Sequence, residues 1–567
     1  MYRKIQPARL ALVIAGVFAV FAVVVWRLFT ISFQRHDVYA QTAAAQASNT
    51  SSILVRGNIM LSDGDGTPFV VATNRRVPVL TVVPSKVTMD AGQLATQLSV
   101  AASADRDTIL KAIDAGGTSS RVVAHNLTDA QVTAVSALHA AGVAVGYETD
   151  RVYPAGTLAA DVIGFLGYGD NGREGQYGIE AAYDPELSGN ERSGGLDLLG
   201  HLGTLVGASS ANDPTTRRPE DVQLTIDRTI QAYVEQRLAA VIAQYHAASG
   251  TVVVQDPMTG KILALADLPT FDPNAYGSTP VGNFMDGALE PFEPGSSFKP
   301  VTMATGLEVG AVKPTTTFND VGDVVIDGYT IKNFNEGHFG LVTMTQVLEK
   351  SINTGAMYAE QLIGNDKFLD GVVAAGFGQA TGVDLPGESA GNIDNLYTGR
   401  QINFLTAAFG QGITATPLQM VNFYSAVANG GKLMKPYVVA SIIDDHGNRT
   451  DTQPTVIGTP FSAATAATLR SMLVSVVDIG FDKARIPHYD VAGKTGTAQI
   501  ASPQGGYLEG QYNHSFAGFA PASNPKFTIF IRMEKPQGIT YAADSLSPVF
   551  KDIAMFLLNY LNVPPTR

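Results

Sequence analysis

The 567-residue chain contains no cysteine. Disulfides, thiolate zinc sites and a cysteine nucleophile are thereby excluded, and the redox compartment stays open. Histidine is scarce as well. The nine present are scattered, with no H-E-x-x-H or comparable ligand spacing, so no metal is expected. Positive charge is in deficit: 38 Lys and Arg face 51 Asp and Glu, for a net charge of −13. No basic stripe offsets it, which argues against nucleic acid as a partner, because cations would be needed to displace phosphate counterions. Internal repeats are missing too. What is present is a 45% apolar, 16% charged composition, that of a globular chain with a large core, at a length suited to two or three domains.

The N-terminus holds the longest apolar run, unbroken from 10 to 26 and extended by Leu28, Phe29 and residues 31–33. That length suits a single bilayer-spanning helix, with Trp26 and Arg27 at the interface. Arg3, Lys4 and Arg9 precede it, so the positive-inside rule places the N-terminus in the cytoplasm and the remainder outside the cell membrane. A cleaved signal peptide is the competing reading. Its best cleavage match, Ala45-Gln46-Ala47, lies well beyond the apolar run, whereas cleavage follows such a run closely.

Residues 41–52, rich in Ala, Ser, Thr and Gln, read as a stalk. Strand, turn, strand is expected over 55–73 around Asp63-Gly64-Asp65-Gly66, and alanine-rich helix over 87–142, with a capping box at Thr128. Residues 151–207 are rich in glycine and turns, and a break falls at 213–216. Beyond it, Asp227 is placed to cap a helix carrying Ile230, Val234, Leu238 and Val241 at helical spacing. Strands are expected at 251–255 and 261–266, and again at 491–500, 515–520 and 527–533; a last helix begins at Ser547-Pro548. Two strands early and three late, with helices between, describe an α+β domain whose sheet closes across a helical insert.

Three short motifs sit in that domain: Ser296-x-x-Lys299 within EPGSSFKP, Ser351-x-Asn353 within KSINTG, and Lys494-Thr495-Gly496-Thr497 within VAGKTGTAQI. Ser296 and Lys299, three apart, share a helix face at about 5–6 Å between Cβ atoms. Alone, the first motif also fits a surface N-cap followed by a solvated lysine, and the third a solvated strand lysine. Nucleotide readings fail. Gly493-Lys494-Thr495 has His488 where a phosphate loop needs glycine, and Gly376-Phe377-Gly378 has Thr381 where a dinucleotide fingerprint needs its third glycine. The three motifs in this order are the set shared by class A β-lactamases and penicillin-binding proteins.

Over nearly its whole length the chain resembles a class B penicillin-binding protein, a membrane-anchored peptidoglycan D,D-transpeptidase. The likeness is carried by VRGNIMLSDGDG, RVYPAGTLAADVIGFLG and GREGQYGIEAAYDPELSG in the pedestal, and by LTIDRTIQ, DPMTGKILALADLPTFDPN, GFGQATGVDLPGE, FGQGITATPLQM and SPVFKDIA beyond it. It implies a cytoplasmic tail (1–9), a transmembrane anchor (10–33), a stalk (34–52), an elongated α/β pedestal of dimerisation type (53–212) and a transpeptidase domain (213–567) with an antiparallel sheet flanked by helices. Ser296 would be the nucleophile, Lys299 its base, and Ser351 the proton shuttle to the leaving D-Ala. Asn353 would hold the substrate's peptide group, Lys494 and Thr495 its terminal carboxylate, and Gly496 would let the backbone come close. The N–H groups of Thr497 and Ser296 would form the oxyanion hole. No cofactor is implied. The expected partners are D-Ala-D-Ala stem peptides, β-lactams, a polytopic membrane glycosyltransferase and other divisome proteins, with a septal role favoured over a side-wall one. The pedestal opening departs from the usual D-R-N-G, reading Leu61-Ser62-Asp63-Gly64, and 87–142 aligns with nothing in the family. Two alternatives remain: a β-lactamase or penicillin sensor, for which Glu388 to Asn392 faintly matches an E-x-x-L-N loop, and a divisome scaffold with a vestigial site.

Overall fold

The computed structural model of the chain describes residues 56–169, 172–189, 218–334, 337–480 and 482–567. The expected anchor at 10–33 and the break at 213–216 lie outside these. The described chain forms two compact units, one of residues 74–151, the other of 56–73 together with 152–567.

Strand β1 (Ile59–Ser62) turns at Asp63–Gly66 into β2 (Pro68–Val82), as the glycine and aspartate punctuation requires. The second half of β2 belongs to the smaller unit. There it pairs with β3 (Arg121–Ala124) and β4 (Val143–Val152), and helices α1 (Ala91–Ala102), α2 (Arg106–Asp114) and α3 (Asp129–Ala137) complete the unit. The expected capping box is present: Thr128 accepts from the Gln131 N–H while Gln131 reaches back to the Thr128 N–H. The alanine-rich stretch is thus three helices interrupted by a strand. Its core is a thin layer of Leu80, Val82, Leu94, Leu98, Ile109 and Ile113.

In the larger unit, β5 (Asp221–Asp227) lies parallel to β1. Asp227 caps α4 (Arg228–Tyr245) by accepting from the N–H groups of Thr229 and Ile230. Then follow β6 (Ser249–Gln255) and β7 (Ile262–Leu268), the helices α5 (Lys299–Glu308), α6 (Asn353–Ile363) and α7 (Pro417–Ala428), and β8 (Val439–Ile443), which pairs with β5. The chain closes with β9 (Ala492–Ala501), β10 (Tyr507–Ala520), β11 (Phe527–Glu534) and α8 (Ala542–Tyr560). The principal sheet is antiparallel in the order β9-β10-β11-β6-β7, so the two early strands and the three late ones do meet in one sheet.

Alternation along these strands feeds two cores. Val252, Val254, Ile529 and Ile531 face α4 and α8, whereas Val253, Phe530 and Ala517 join the layer that contains α7. With both faces covered, the central strands read as continuous apolar runs rather than alternating ones. Two expectations need correction. Strand β10 begins at Tyr507, not 515, because its polar first half is an exposed ribbon with no apolar pattern to betray it. Helix α8 begins at Ala542, and Pro548 lies inside it rather than at its start. An internal proline forfeits one backbone hydrogen bond at about 3 kcal/mol, but Leu546, Phe550, Ile553 and Leu557 are buried along the same face and outweigh that cost. Among the described residues, one helical stretch, Ala463–Gly480, has the length and apolarity of a membrane span. Its Ala466, Leu469, Met472 and Leu473 belong to the core of the larger unit, which accounts for its composition.

Candidate active site

The EPGSSFKP stretch forms one 3-10 turn, Gly295–Phe298, that runs directly into α5. Pro300 sits in the first turn of the helix, where its missing N–H has no intrahelical acceptor to lose. Gly295 is at φ +56, and a Cβ there would come within 2.7 Å of the Ala498 side chain, so glycine alone permits the turn to lie against β9. The paired serines divide their work. Ser297 is buried, donates from Oγ to the Pro294 carbonyl at 2.7 Å and accepts from Ser515 Oγ at 3.2 Å, while the Tyr424 hydroxyl donates to its carbonyl at 2.8 Å. Ser297 therefore fixes the turn. Ser296 faces the cleft.

Lys299, first residue of α5, is fully buried. Its Nζ lies 3.0 Å from Ser296 Oγ, 3.1 Å from Ser351 Oγ, 2.8 Å from Asn353 Oδ1 and 2.6 Å from the Ser351 carbonyl. Ser351 takes the left-handed conformation, φ 57, and Ile352 is buried in the core behind it. This tight turn, just before α6, aims Ser351 and Asn353 at the same amine. The Asn353 side-chain amide also donates to the Lys332 carbonyl at 3.1 Å.

Lys494, on edge strand β9, closes the group. It is fully buried, and its Nζ donates to Ser351 Oγ at 3.0 Å and to the Thr495 carbonyl at 2.9 Å. A Cβ on Gly496 would stand 2.8 Å from the Pro294 carbonyl and 3.1 Å from the Ser297 nitrogen, so this glycine lets strand and serine turn touch. Thr495 and Thr497 line the cleft beside Ser296, Ser351 and Asn353. The Thr497 hydroxyl also accepts from the Ala542 N–H at 3.1 Å and so helps to start α8.

All eight residues singled out in the sequence thus converge on one cleft of about 800 Å³. Two buried ammonium groups there cannot both keep their charge cheaply. Burial, then the neighbouring charge of Lys494, holds the Lys299 amine well below its ordinary value. Burial lowers Lys494 to about 7. A neutral Lys299 has a lone pair 3.0 Å from a serine hydroxyl, the arrangement of a nucleophile with its general base.

Other residues in or beside the cleft carried no signal in the sequence. Glu293, three residues before Ser296 and not part of the cleft lining, accepts from the Gly412 N–H at 3.1 Å and is pushed up to about 7 by burial. Lys332, Lys350 and Arg400 line the cleft, as do Tyr507, Tyr512 and Tyr541. Apart from Tyr507 and Tyr512, which share β10, they come from separate segments, so no spacing links them. Glu388, the residue on which the lactamase reading turned, lies elsewhere. Its carboxylate accepts from the N–H groups of Thr381 and Gly382 and from the Thr381 hydroxyl, and thereby pins a turn.

Comparison with known proteins agrees with this geometry. Residues 250–555 match the family described as penicillin binding protein transpeptidase domain, and residues 55–194 match penicillin-binding protein dimerisation domain. The chain is 31% identical over 522 residues to stage V sporulation protein D of Bacillus subtilis, spanning 90% of this chain and 79% of that one. It is 31% identical to peptidoglycan D,D-transpeptidase FtsI of Escherichia coli, across 75% of this chain and 69% of that one. Among solved structures it is similar to penicillin-binding protein 3 of Mycobacterium tuberculosis in complex with aztreonam, with a TM-score of 0.67 and 28% identity over 90% of this chain and 97% of that one. The two domain matches in tandem, and relatives that share both the length and the fold, show that the chain belongs to the class B penicillin-binding proteins.

Proposed function

We propose that the chain is a serine-type peptidoglycan D,D-transpeptidase that cross-links stem peptides through an acyl-enzyme and is inhibited covalently by β-lactams. The observation that carries this reading is the Lys299 amine within 3.1 Å of both Ser296 Oγ and Ser351 Oγ. Ser296 attacks the carbonyl of the penultimate D-Ala as Lys299 takes its proton. Ser351, held between Lys299 and Lys494, passes a proton to the departing D-Ala nitrogen. Lys494 and Thr495 hold the terminal carboxylate, Asn353 the peptide group, and the N–H groups of Ser296 and Thr497 the oxyanion. An acceptor amine then takes the acyl group, and Ser296 is freed.

A transpeptidase must keep water from its acyl-enzyme, whereas a lactamase must admit it. With Glu388 committed to a turn, it is not available to activate a deacylating water. Residues 45–567 labelled with penicillin are therefore expected to keep the added mass for many minutes in intact-mass spectrometry. Return to the unmodified mass within seconds, with hydrolysed drug accumulating, would make the protein a β-lactamase.

The two lysines also set a pH dependence. Lys299 must be neutral to accept a proton, so acylation rises as pH climbs through its lowered value. Lys494 must be charged to hold a carboxylate, and that charge is lost as pH climbs through about 7 in the free enzyme. The second-order rate constant for penicillin acylation should therefore be bell-shaped. A rate still increasing at about pH 10, where an ordinary lysine titrates, would contradict these roles.

Residues 1–9 would be cytoplasmic, 10–33 the single membrane anchor, 34–52 the stalk, 53–212 the pedestal and 213–567 the catalytic domain outside the membrane. The FtsI relative favours the septum, with a polytopic glycosyltransferase and other divisome proteins as partners. A fluorescent fusion should gather at midcell, and exchange of residues 1–210 for an unrelated anchored domain should abolish co-purification with the glycosyltransferase. Staining along the side wall, or unchanged co-purification, would count against this assignment.

A further inference from the structure

The cleft differs in charge from the protein that carries it. The whole chain has a net charge of −13, yet Lys332, Lys350 and Arg400 line the cleft and, among the described residues, no aspartate or glutamate does. The two lysines at its floor, Lys299 and Lys494, are already engaged with Ser296, Ser351 and Asn353. The cations on its walls have no part in that chemistry. Lys350 and Arg400 are both exposed. Lys350 Nζ stands 5.1 Å over the Phe339 ring, and its amine forms no ion pair with any described acidic residue. Arg400 forms no ion pair with any described residue, in contrast to Arg218, Arg228 and Arg237. Aromatic walls, Phe334 against Tyr512 and Tyr541 with ring centroids 6.3 and 5.3 Å apart, lower the local polarity. Fixed charges of one sign between apolar walls raise the local concentration of the opposite charge.

We infer that Lys350 and Arg400 form an anion-reading rim that binds a free carboxylate of the donor stem peptide upstream of its D-Ala-D-Ala end. This rests on the transpeptidase reading, since it needs a peptide anchored at Ser296 and Lys494. The terminal carboxylate is held at the floor of the cleft, so the preceding residues run out between its walls. A stem peptide offers two carboxylates there: the α-carboxylate of an isoglutamyl residue at position two, and that of a diamino dicarboxylic acid at position three. Both are acceptors of the same chemistry, and both are erased by amidation or, at position three, by a plain diamino acid. A planar guanidinium and a point-charge ammonium on one rim suit such a group, because charge-assisted hydrogen bonds are about twice as strong as neutral ones.

The test measures how far synthetic pentapeptide stems slow the labelling of Ser296 by fluorescent penicillin in residues 45–567. Four stems are compared: both carboxylates free, position two amidated, position three amidated, and both amidated. The doubly amidated stem is expected to need about tenfold more peptide for the same slowing, and the singly amidated stems show which carboxylate is read. The advantage should shrink to about twofold at 0.5 M salt, where screening is stronger. In the Lys350→Gln/Arg400→Gln double variant the ratio should fall to about one, and Arg400→Glu should reverse the preference toward a stem bearing a free lysine amine. Equal potency of all four stems on the unaltered protein, including no slowing by any of them, overturns the inference, as does a tenfold ratio that persists in the double variant. Absence of penicillin labelling on the unaltered protein would instead refute the transpeptidase reading itself.

Discussion

Ser296→Ala is expected to abolish covalent labelling by penicillin, and Lys299→Ala to slow it by about 10²–10⁴-fold, the range that base assistance contributes. The reason is geometric. Lys299 Nζ is 3.0 Å from Ser296 Oγ and fully buried, and burial beside a second lysine removes its proton at a pH where a solvated lysine would keep it. Alanine leaves the serine hydroxyl without an acceptor for its proton, while the rest of the cleft survives. Ser297→Ala supplies the contrast. That serine has its hydroxyl on the Pro294 carbonyl and faces away from the cleft, so its loss should cost about 1–3 kcal/mol of stability while the mass shift after a penicillin pulse persists. Intact mass and the second-order labelling rate read both outcomes. Label on Ser296→Ala, or a Lys299→Ala rate within a few-fold of the unaltered protein, would remove these residues from the chemistry.

Arg56→Ala is expected to destabilise the larger unit by about 3–5 kcal/mol, because it removes the cation that two buried carboxylates share. Arg56 Nε donates to Glu180 Oε2 at 2.6 Å and NH1 to Asp184 Oδ1 at 2.9 Å, with side-chain exposures of 1% for the arginine, 0% for the glutamate and 6% for the aspartate. The Tyr153 hydroxyl donates to Glu180 Oε1 and accepts from the Leu166 N–H, and Asp184 Oδ1 also takes the Gly175 N–H. The guanidinium thus ties the start of the described chain to the 180–184 segment, whose carboxylates in turn reach Tyr153 and Gly175. Both carboxylates would lose a charge-assisted hydrogen bond without Arg56. Urea unfolding followed by fluorescence should show the loss, and an additional Glu180→Gln change should recover part of it, since it removes one of the two carboxylate charges. A cost under 1 kcal/mol would mean that water or neighbouring groups satisfy the carboxylates without Arg56.

The order and spacing of S-x-x-K, S-x-N and K-T-G carry the chemistry because each motif is local. Four residues on a helix turn, three at a tight loop and three on a strand fix side-chain directions within the motif, wherever the fold puts it. The Asp227 cap, the Thr128 capping box and the hairpin of β6 and β7 were legible for the same reason: each depends on partners within a few residues. Pro548 shows the limit. A proline alone reads as a helix start, and only the buried face from Leu546 to Leu557 makes it an interior residue. The polar half of β10 likewise has no periodicity of its own and is a strand because β9 pairs with it. What the sequence by itself determined was which side chains are candidates for the chemistry and the class of fold that carries them. Tertiary structure alone decided that two lysines 195 positions apart share one serine hydroxyl between them, that Ser297 holds the turn while Ser296 faces the cleft, and that the cleft of an acidic protein is walled with cations. The physical reason is that burial and charge environment are properties of packing between remote segments, and pKa and affinity follow from them.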